Sequence, residues 1–111
     1  MDAKQITIGT KKIEALCFKL QEKNLIVLRG DKGYVMCGYL NMDAANKFND
    51  VAVKITGVTS IEDALNAKAA EVSNAAANLG IRKEMAIQDI LKIIAWIFSW
   101  TKPTINFSFS P

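Results

Sequence analysis

Apolar and polar residues alternate with period two through the first forty positions and with a period of three to four near the end. Strands are therefore expected early and helices late. Gln5–Thr10 places Ile6 and Ile8 on one face. Lys12–Leu20 is apolar on both faces, with Leu16, Phe18 and Leu20 on one and Ile13, Ala15 and Cys17 on the other. Such a strand is central in its sheet or flanked by helices. After a polar turn at 21–24 comes Leu25–Arg29. Gly30-Asp31-Lys32-Gly33 then reads as a hairpin loop whose glycines supply positive φ at the reversal. Tyr34–Leu40 is the returning strand, with Tyr34, Met36, Gly38 and Leu40 on one face and Val35, Cys37 and Tyr39 on the other.

Asn41 caps a short helix over Met42–Asn49, and Val51–Thr56 returns to strand. Gly57–Ser60 ends that strand and opens a helix over Ile61–Leu65, with Ser60 and Asp63 as a variant capping box. Seven alanines within positions 64–77 raise helix propensity. They predict a helix over Ala67–Leu79, capped by Asn66 and closed by Gly80 at C′ with Ile81 after it. A last helix is expected from Glu84 to Phe98, amphipathic through Ile87, Ile90, Leu91 and Ile94 and apolar all round after Ile93. Pro103 ends it. Thr104–Pro111 alternates Ile105, Phe107 and Phe109 with Asn106, Ser108 and Ser110. This order predicts an α+β fold, a mainly antiparallel sheet from the N-terminal half with C-terminal helices packed on it. One domain is expected over 1–100, followed by a tail over 101–111 that serves as an extra strand or an interface segment.

Composition narrows the chemistry. The 111 residues include no histidine, which removes His general bases, Ser-His-Asp and Cys-His pairs, and His metal sites. Two cysteines, Cys17 and Cys37, cannot make a four-ligand zinc site, so no metal is expected. They can form one disulfide. The start MDAKQITIG lacks the apolar stretch of a signal peptide, and a reduced pair in a cytoplasmic protein is the expectation. Residues 1–60 carry nine basic and six acidic groups, and residues 61–111 carry five of each. A net +3 without basic-aromatic interleaving predicts no nucleic-acid partner. The run from Ile93 to Trp100 is too short for a transmembrane segment.

Three places can carry function. Around Cys37, a thiol stands beside Gly38, which lets a ligand approach the backbone, and near the Tyr34 hydroxyl. These make Cys37 and Tyr34 the catalytic candidates and Gly38 a binding candidate. The alternative is a buried small hydrophobe, a packing glycine and a core tyrosine. At Gly57–Ser60, a glycine turn into a helix exposes backbone N–H groups, and Thr59 and Ser60 add hydroxyls. Gly57, Thr59 and Ser60 are thus candidates for an anion or small-metabolite site, although ordinary capping explains them too. The P-loop spacing is missing, and no cofactor is expected. Finally, Trp96, Phe98 and Trp100 crowd the C-terminus with large apolar groups. They predict a surface for a partner, most simply a second copy.

The block Gly33-Tyr-Val-Met-Cys-Gly-Tyr-Leu40, preceded by Asp31, resembles the uncharacterised YunC-like family of bacteria and archaea. Gly57-Val-Thr-Ser-Ile-Glu-Asp63 and Ala75-Ala76…Leu79-Gly80-Ile81…Met85 are similar to two further blocks of that family, and the resemblance spans about residues 24–91. Around the methionine of the third block the family tends to carry glycines, where this chain has Glu84, Ala86 and Ile87. Trp96–Pro111 is extra or altered. The resemblance implies a compact α+β domain and brings no established reaction. The expectation is a small cytoplasmic, homo-oligomeric binding or structural protein whose small-molecule ligand is not identified. The alternatives are a thiol enzyme built on Cys37 and an anion or metabolite binder at Gly57–Ser60.

Overall fold

A computed structural model describes residues 2–38 and 40–95. Three strands open the chain: β1 (Asp2–Ile8), β2 (Lys11–Leu20) and β3 (Lys23–Arg29). They pair antiparallel through two-residue turns, with Ile8 opposite Lys11 and Leu20 opposite Lys23. Gly9 takes φ +65° and Gln21 φ +54°, the left-handed backbone that tight hairpins require. β4 (Tyr34–Met36) adds antiparallel to β3, β5 (Ala52–Lys54) adds parallel to β4, and β6 (Glu71–Val72) closes the far edge antiparallel to β5. The sheet order is β1-β2-β3-β4-β5-β6, mainly antiparallel with one parallel step.

Helices lie on both faces. On the front, α2 (Ile61–Leu65), α3 (Asn74–Asn78) and α4 (Ile87–Ile94) cover the main core. It holds Ile13, Ala15, Ile26, Leu28, Val35, Val53 and Ile55 of the sheet against Ile61, Ala64, Ala76, Ile87, Ile90, Leu91 and Ile94. On the back, α1 (Met42–Lys47) covers only the β4–β5 part, where Leu40, Ala45 and Ala52 pack with Tyr34, Met36 and Met42. The chain is thus an α+β protein. The two apolar faces of β2 have different environments: Ile13 and Ala15 are buried in front, while Leu16 and Phe18 are half-buried and Leu20 is exposed behind.

Several expectations need correction. The alanine-rich stretch is not a helix over Ala67–Leu79. Lys68 bridges to Ala86, β6 occupies 71–72, and only Asn74–Asn78 is helical. The N–H groups of Ala69, Ala70 and Ser73 donate to the carbonyls of Met85, Lys54 and Ala52. Tertiary hydrogen bonds override alanine's helix propensity here. Asn66 is the C-cap of α2, and Ser73 caps α3. Gly80, at φ +91°, does close α3. Its N–H and that of Ile81 donate to Ala77 and Ala76 in a Schellman arrangement.

The strand expected over Tyr34–Leu40 stops at Met36, with Gly38 in a turn. α4 begins at Ile87 rather than Glu84, because Glu84 sits at φ +72° with its N–H on the Ala69 carbonyl. The glycines of the 30–33 loop serve close packing rather than positive φ. A Cβ at Gly30 would stand 2.8 Å from the carbonyl carbon of Ile94, and one at Gly33 would stand 2.6 Å from Cγ1 of Val51. Trp96, Phe98, Trp100, Tyr39 and the tail over 101–111 lie outside the described residues.

Candidate functional site

β4 and β5 are parallel, so both carboxyl ends leave the sheet on the same side. The chain leaving β4 turns to α1 on the back face, and the chain leaving β5 turns to α2 on the front. Two adjacent parallel strands whose connections part to opposite faces leave a crevice between them, and in open sheets such a switch point is where ligands bind. A cleft of about 350 Å³ lies there, lined by Glu22, Lys23, Asn24, Cys37, Gly38, Thr56, Gly57, Val58 and Thr59. Two segments that the sequence marks separately, Cys37–Gly38 and Gly57–Thr59, therefore form opposite walls of one cleft.

The glycines keep those walls open. A Cβ built on Gly38 or on Gly57 would meet nothing within 4 Å. Gly57 also needs its residue type for the backbone, at φ +73°. Ser60 lies in a neighbouring hollow of about 620 Å³, which it shares with Ala3, Lys4, Cys17 and Ile61. Asn24 and Thr59 line both spaces. They are joined by a hydrogen bond of 2.8 Å from Asn24 Nδ2 to the Thr59 carbonyl.

Cys37 forms the inner wall and is buried. Its sulfur accepts from the Ile26 N–H at 3.4 Å, and its S–H donates to the Asn24 carbonyl at 3.6 Å. Both roles of the thiol are engaged by the main chain of β3. Cys17 stands opposite Ile26 on β2, and the Cys37 N–H donates to the Ile26 carbonyl from the other side. The two cysteines are therefore two strand spacings apart, about 9.6 Å, beyond the roughly 7 Å that a disulfide spans. Both are free thiols.

Tyr34 is not in this cleft. Strand alternation directs it to the back face, where its hydroxyl donates to Asp50 Oδ2 at 2.9 Å. Burial, and next the bonded Asp50 carboxylate, push its pKa up to about 12. The two catalytic candidates thus lie on opposite faces of the sheet.

At the start of α2, Ser60 Oγ accepts from the Asp63 N–H at 3.0 Å. Thr59 donates to Asp63 Oδ2 from both its N–H, at 3.1 Å, and its hydroxyl, at 2.8 Å. These bonds, the Thr59 hydroxyl's foremost, hold the Asp63 carboxyl below its ordinary 3.8. The Thr59 donors that mark an anion site in the sequence are thus engaged by a carboxylate of the chain itself. Sequence reading missed Lys23, Asn24 and Thr56 as cleft residues. They are ordinary turn and strand-end types, and only the sheet order brings them to Cys37.

Comparison with known proteins adds kinship. The profile of a family described as a domain of unknown function, DUF1805, matches residues 36–94. That stretch contains both walls of the cleft and ends at Ile94, before the aromatic terminus. The uncharacterized protein YunC of Bacillus subtilis is 33% identical over 90 residues, 78% of this chain and 89% of that protein. The crystal structure of TA1206, a protein of unknown function from Thermoplasma acidophilum, is similar with a TM-score of 0.81 at 35% identity. The match covers 84% of this chain and 91% of that one.

Proposed function

The chain belongs to the DUF1805 family, and from that premise we propose that it is a cytoplasmic binding domain that holds a small ligand in the switch-point cleft and works as a homo-oligomer. The observation that carries the ligand site is the convergence of Cys37–Gly38 and Gly57–Thr59 at the carboxyl ends of two parallel strands with diverging connections. Binding is favoured over thiol catalysis because Cys37 is buried and bonded to the main chain on both sides, with Tyr34 on the other face. Gly38, Gly57 and Thr59 are the binding residues, and Ser60 extends the site into the neighbouring hollow.

The test is an amide-resolved NMR titration of the protein with a panel of small metabolites. A ligand of this site moves the signals of residues 22–24, 37–38 and 56–59 saturably. Gly38→Leu, which fills the cleft at a glycine without left-handed backbone, abolishes those shifts while the fold persists. A panel that moves none of these signals, or shifts that survive Gly38→Leu, refutes the reading. Rapid alkylation of Cys37 in the native protein would instead favour the thiol enzyme.

The homo-oligomer rests on a separate observation. Behind β2 and β3, Leu16, Phe18, Leu20 and Val27 form an apolar strip next to Met36 that no helix among the described residues covers. Trp96, Phe98 and Trp100 are proposed as the complementary interface groups. Light scattering that finds only monomer at micromolar concentration removes this part.

A further inference from the structure

β1 is an outermost strand, and its seven residues, Asp2–Ile8, pair with β2 on one side and with nothing among the described residues on the other. The turn that follows fixes where its main-chain groups point. Ile8 and Lys11 close a two-residue hairpin, so they exchange hydrogen bonds, and Ile6 with Ile13 and Lys4 with Ala15 do the same along the ladder. Carried across β2 and β3, this alternation requires the Cys37 N–H to meet the Ile26 carbonyl, and it does. The N–H and C=O groups of Ala3, Gln5 and Thr7 therefore point away from β2, along the open edge. That edge carries one lysine, Lys4, and neither a proline nor a bulge, so it has few of the devices that normally blunt an open strand.

Outward groups at Ala3, Gln5 and Thr7, centred on Gln5, match a reversed copy of themselves. An antiparallel register with Gln5 opposite Gln5 also sets Ala3 opposite Thr7, and it pairs every outward N–H and C=O of both strands. The neighbouring symmetric registers are poorer. Centred on Lys4, the strands set two lysines opposite each other and carry Thr7 past the start of the opposing strand. Centred on Ile6, they leave Ala3 opposite the turn at Gly9. The edge thus specifies one alignment, and its natural occupant is a second copy.

We infer that two copies of this chain join β1 to β1 about a two-fold axis at Gln5, making one continuous sheet across the pair. This rests on the homo-oligomer reading above and adds a main-chain contact which that reading does not contain. The faces agree. Lys4, exposed on the front, stands beside the half-buried Ile6 of the second copy, and its alkyl stem lies along that side chain. Antiparallel pairing keeps front with front, so the bare strips of Leu16, Phe18 and Leu20 fall on one side of the joined sheet. The second copy also borders the hollow that contains Ser60, because Ala3 and Lys4 form part of that hollow's wall.

Amide-resolved hydrogen exchange and light scattering on the full-length protein, from 10 µM to 1 mM, test this together. The amides of Ala3, Gln5 and Thr7 should slow at least tenfold as the dimer mass appears, while those of Lys4 and Ile6, bonded to β2, stay protected throughout. Gln5 meets itself at the axis and is exposed, so charge there acts on the pairing rather than the fold. Gln5→Lys and Gln5→Glu should each weaken the dimer about fivefold, and their mixture should form a heterodimer tighter than either alone. A dimer whose Ala3, Gln5 and Thr7 amides exchange freely overturns the inference and leaves the homo-oligomer reading standing. Monomer at every concentration overturns both. Protection of those amides in a monomer also overturns the inference, since the edge is then covered within one chain, and so does a dimer that neither charge variant weakens.

Discussion

The two ends of the β4–β5 pair are each flanked by glycines, and the glycines do opposite things. At the entry end, Gly30 and Gly33 are pressed against the main chain of Ile94 and Val51, where a Cβ would overlap existing atoms. At the exit end, Gly38 and Gly57 face space in which a Cβ meets nothing within 4 Å. One pair lets backbone approach backbone. The other leaves backbone bare along a cleft. The residue type alone therefore does not distinguish a structural glycine from a site glycine. What differs is what occupies the space its side chain would fill, and by that measure the end of the strand pair with the candidate site is the empty one.

The contrast can be broken by substitution. Gly33→Ala should cost about 3 kcal/mol in urea unfolding, because the new methyl group is driven into Val51, and Gly30→Ala should cost a similar amount against Ile94. A loss well under 1 kcal/mol at both would show that the entry end is looser than its geometry. Gly57→Ala should cost about 1 kcal/mol, from left-handed backbone alone and without any clash. Gly38→Ala should change stability by no more than about 0.5 kcal/mol while altering the cleft wall.

Titration sharpens the same comparison by small amounts. The Tyr34 pKa at the entry end is raised by folding, so its contribution is complete below pH 10 and is lost as pH rises from 10 toward about 12. Tyr34→Phe should flatten that alkaline decline in thermal unfolding. The Asp63 pKa near the exit end is lowered, so its contribution is present above its ordinary 3.8 and is lost as pH falls through the lower folded value. Asp63→Asn should therefore destabilise the protein slightly at pH 7 and become indistinguishable from it in strong acid.

Local patterns were readable in the sequence wherever local forces decide the outcome. Period two over Lys12–Leu20 gave both faces of β2. Asn41, Ser60 and Gly80 marked helix ends because each satisfies backbone groups within its own turn. Residues 67–79 misled because alanine's preference is weak beside the bonds to Lys54, Ala52 and Met85, which no short window contains. The cleft was half legible. Cys37–Gly38 and Gly57–Thr59 stood out singly, but their union depends on β5 joining β4 in parallel, a fact of sheet order. Alternation also separates Tyr34 from Cys37, a consequence of pleating that their closeness in sequence conceals.

The docking of α4 also constrains when the protein can fold. Lys92 and Lys11 are 81 positions apart, and Ile87, Ile90, Leu91 and Ile94 supply much of the front core. During synthesis the sheet can pair its early hairpins, but its front face stays uncovered until residue 94 has left the ribosome. Long-range closure of this kind slows folding and prolongs exposure of unpaired apolar surface. The contact between Gly30 and the end of α4 thus forms only once the chain has been synthesised through Ala95.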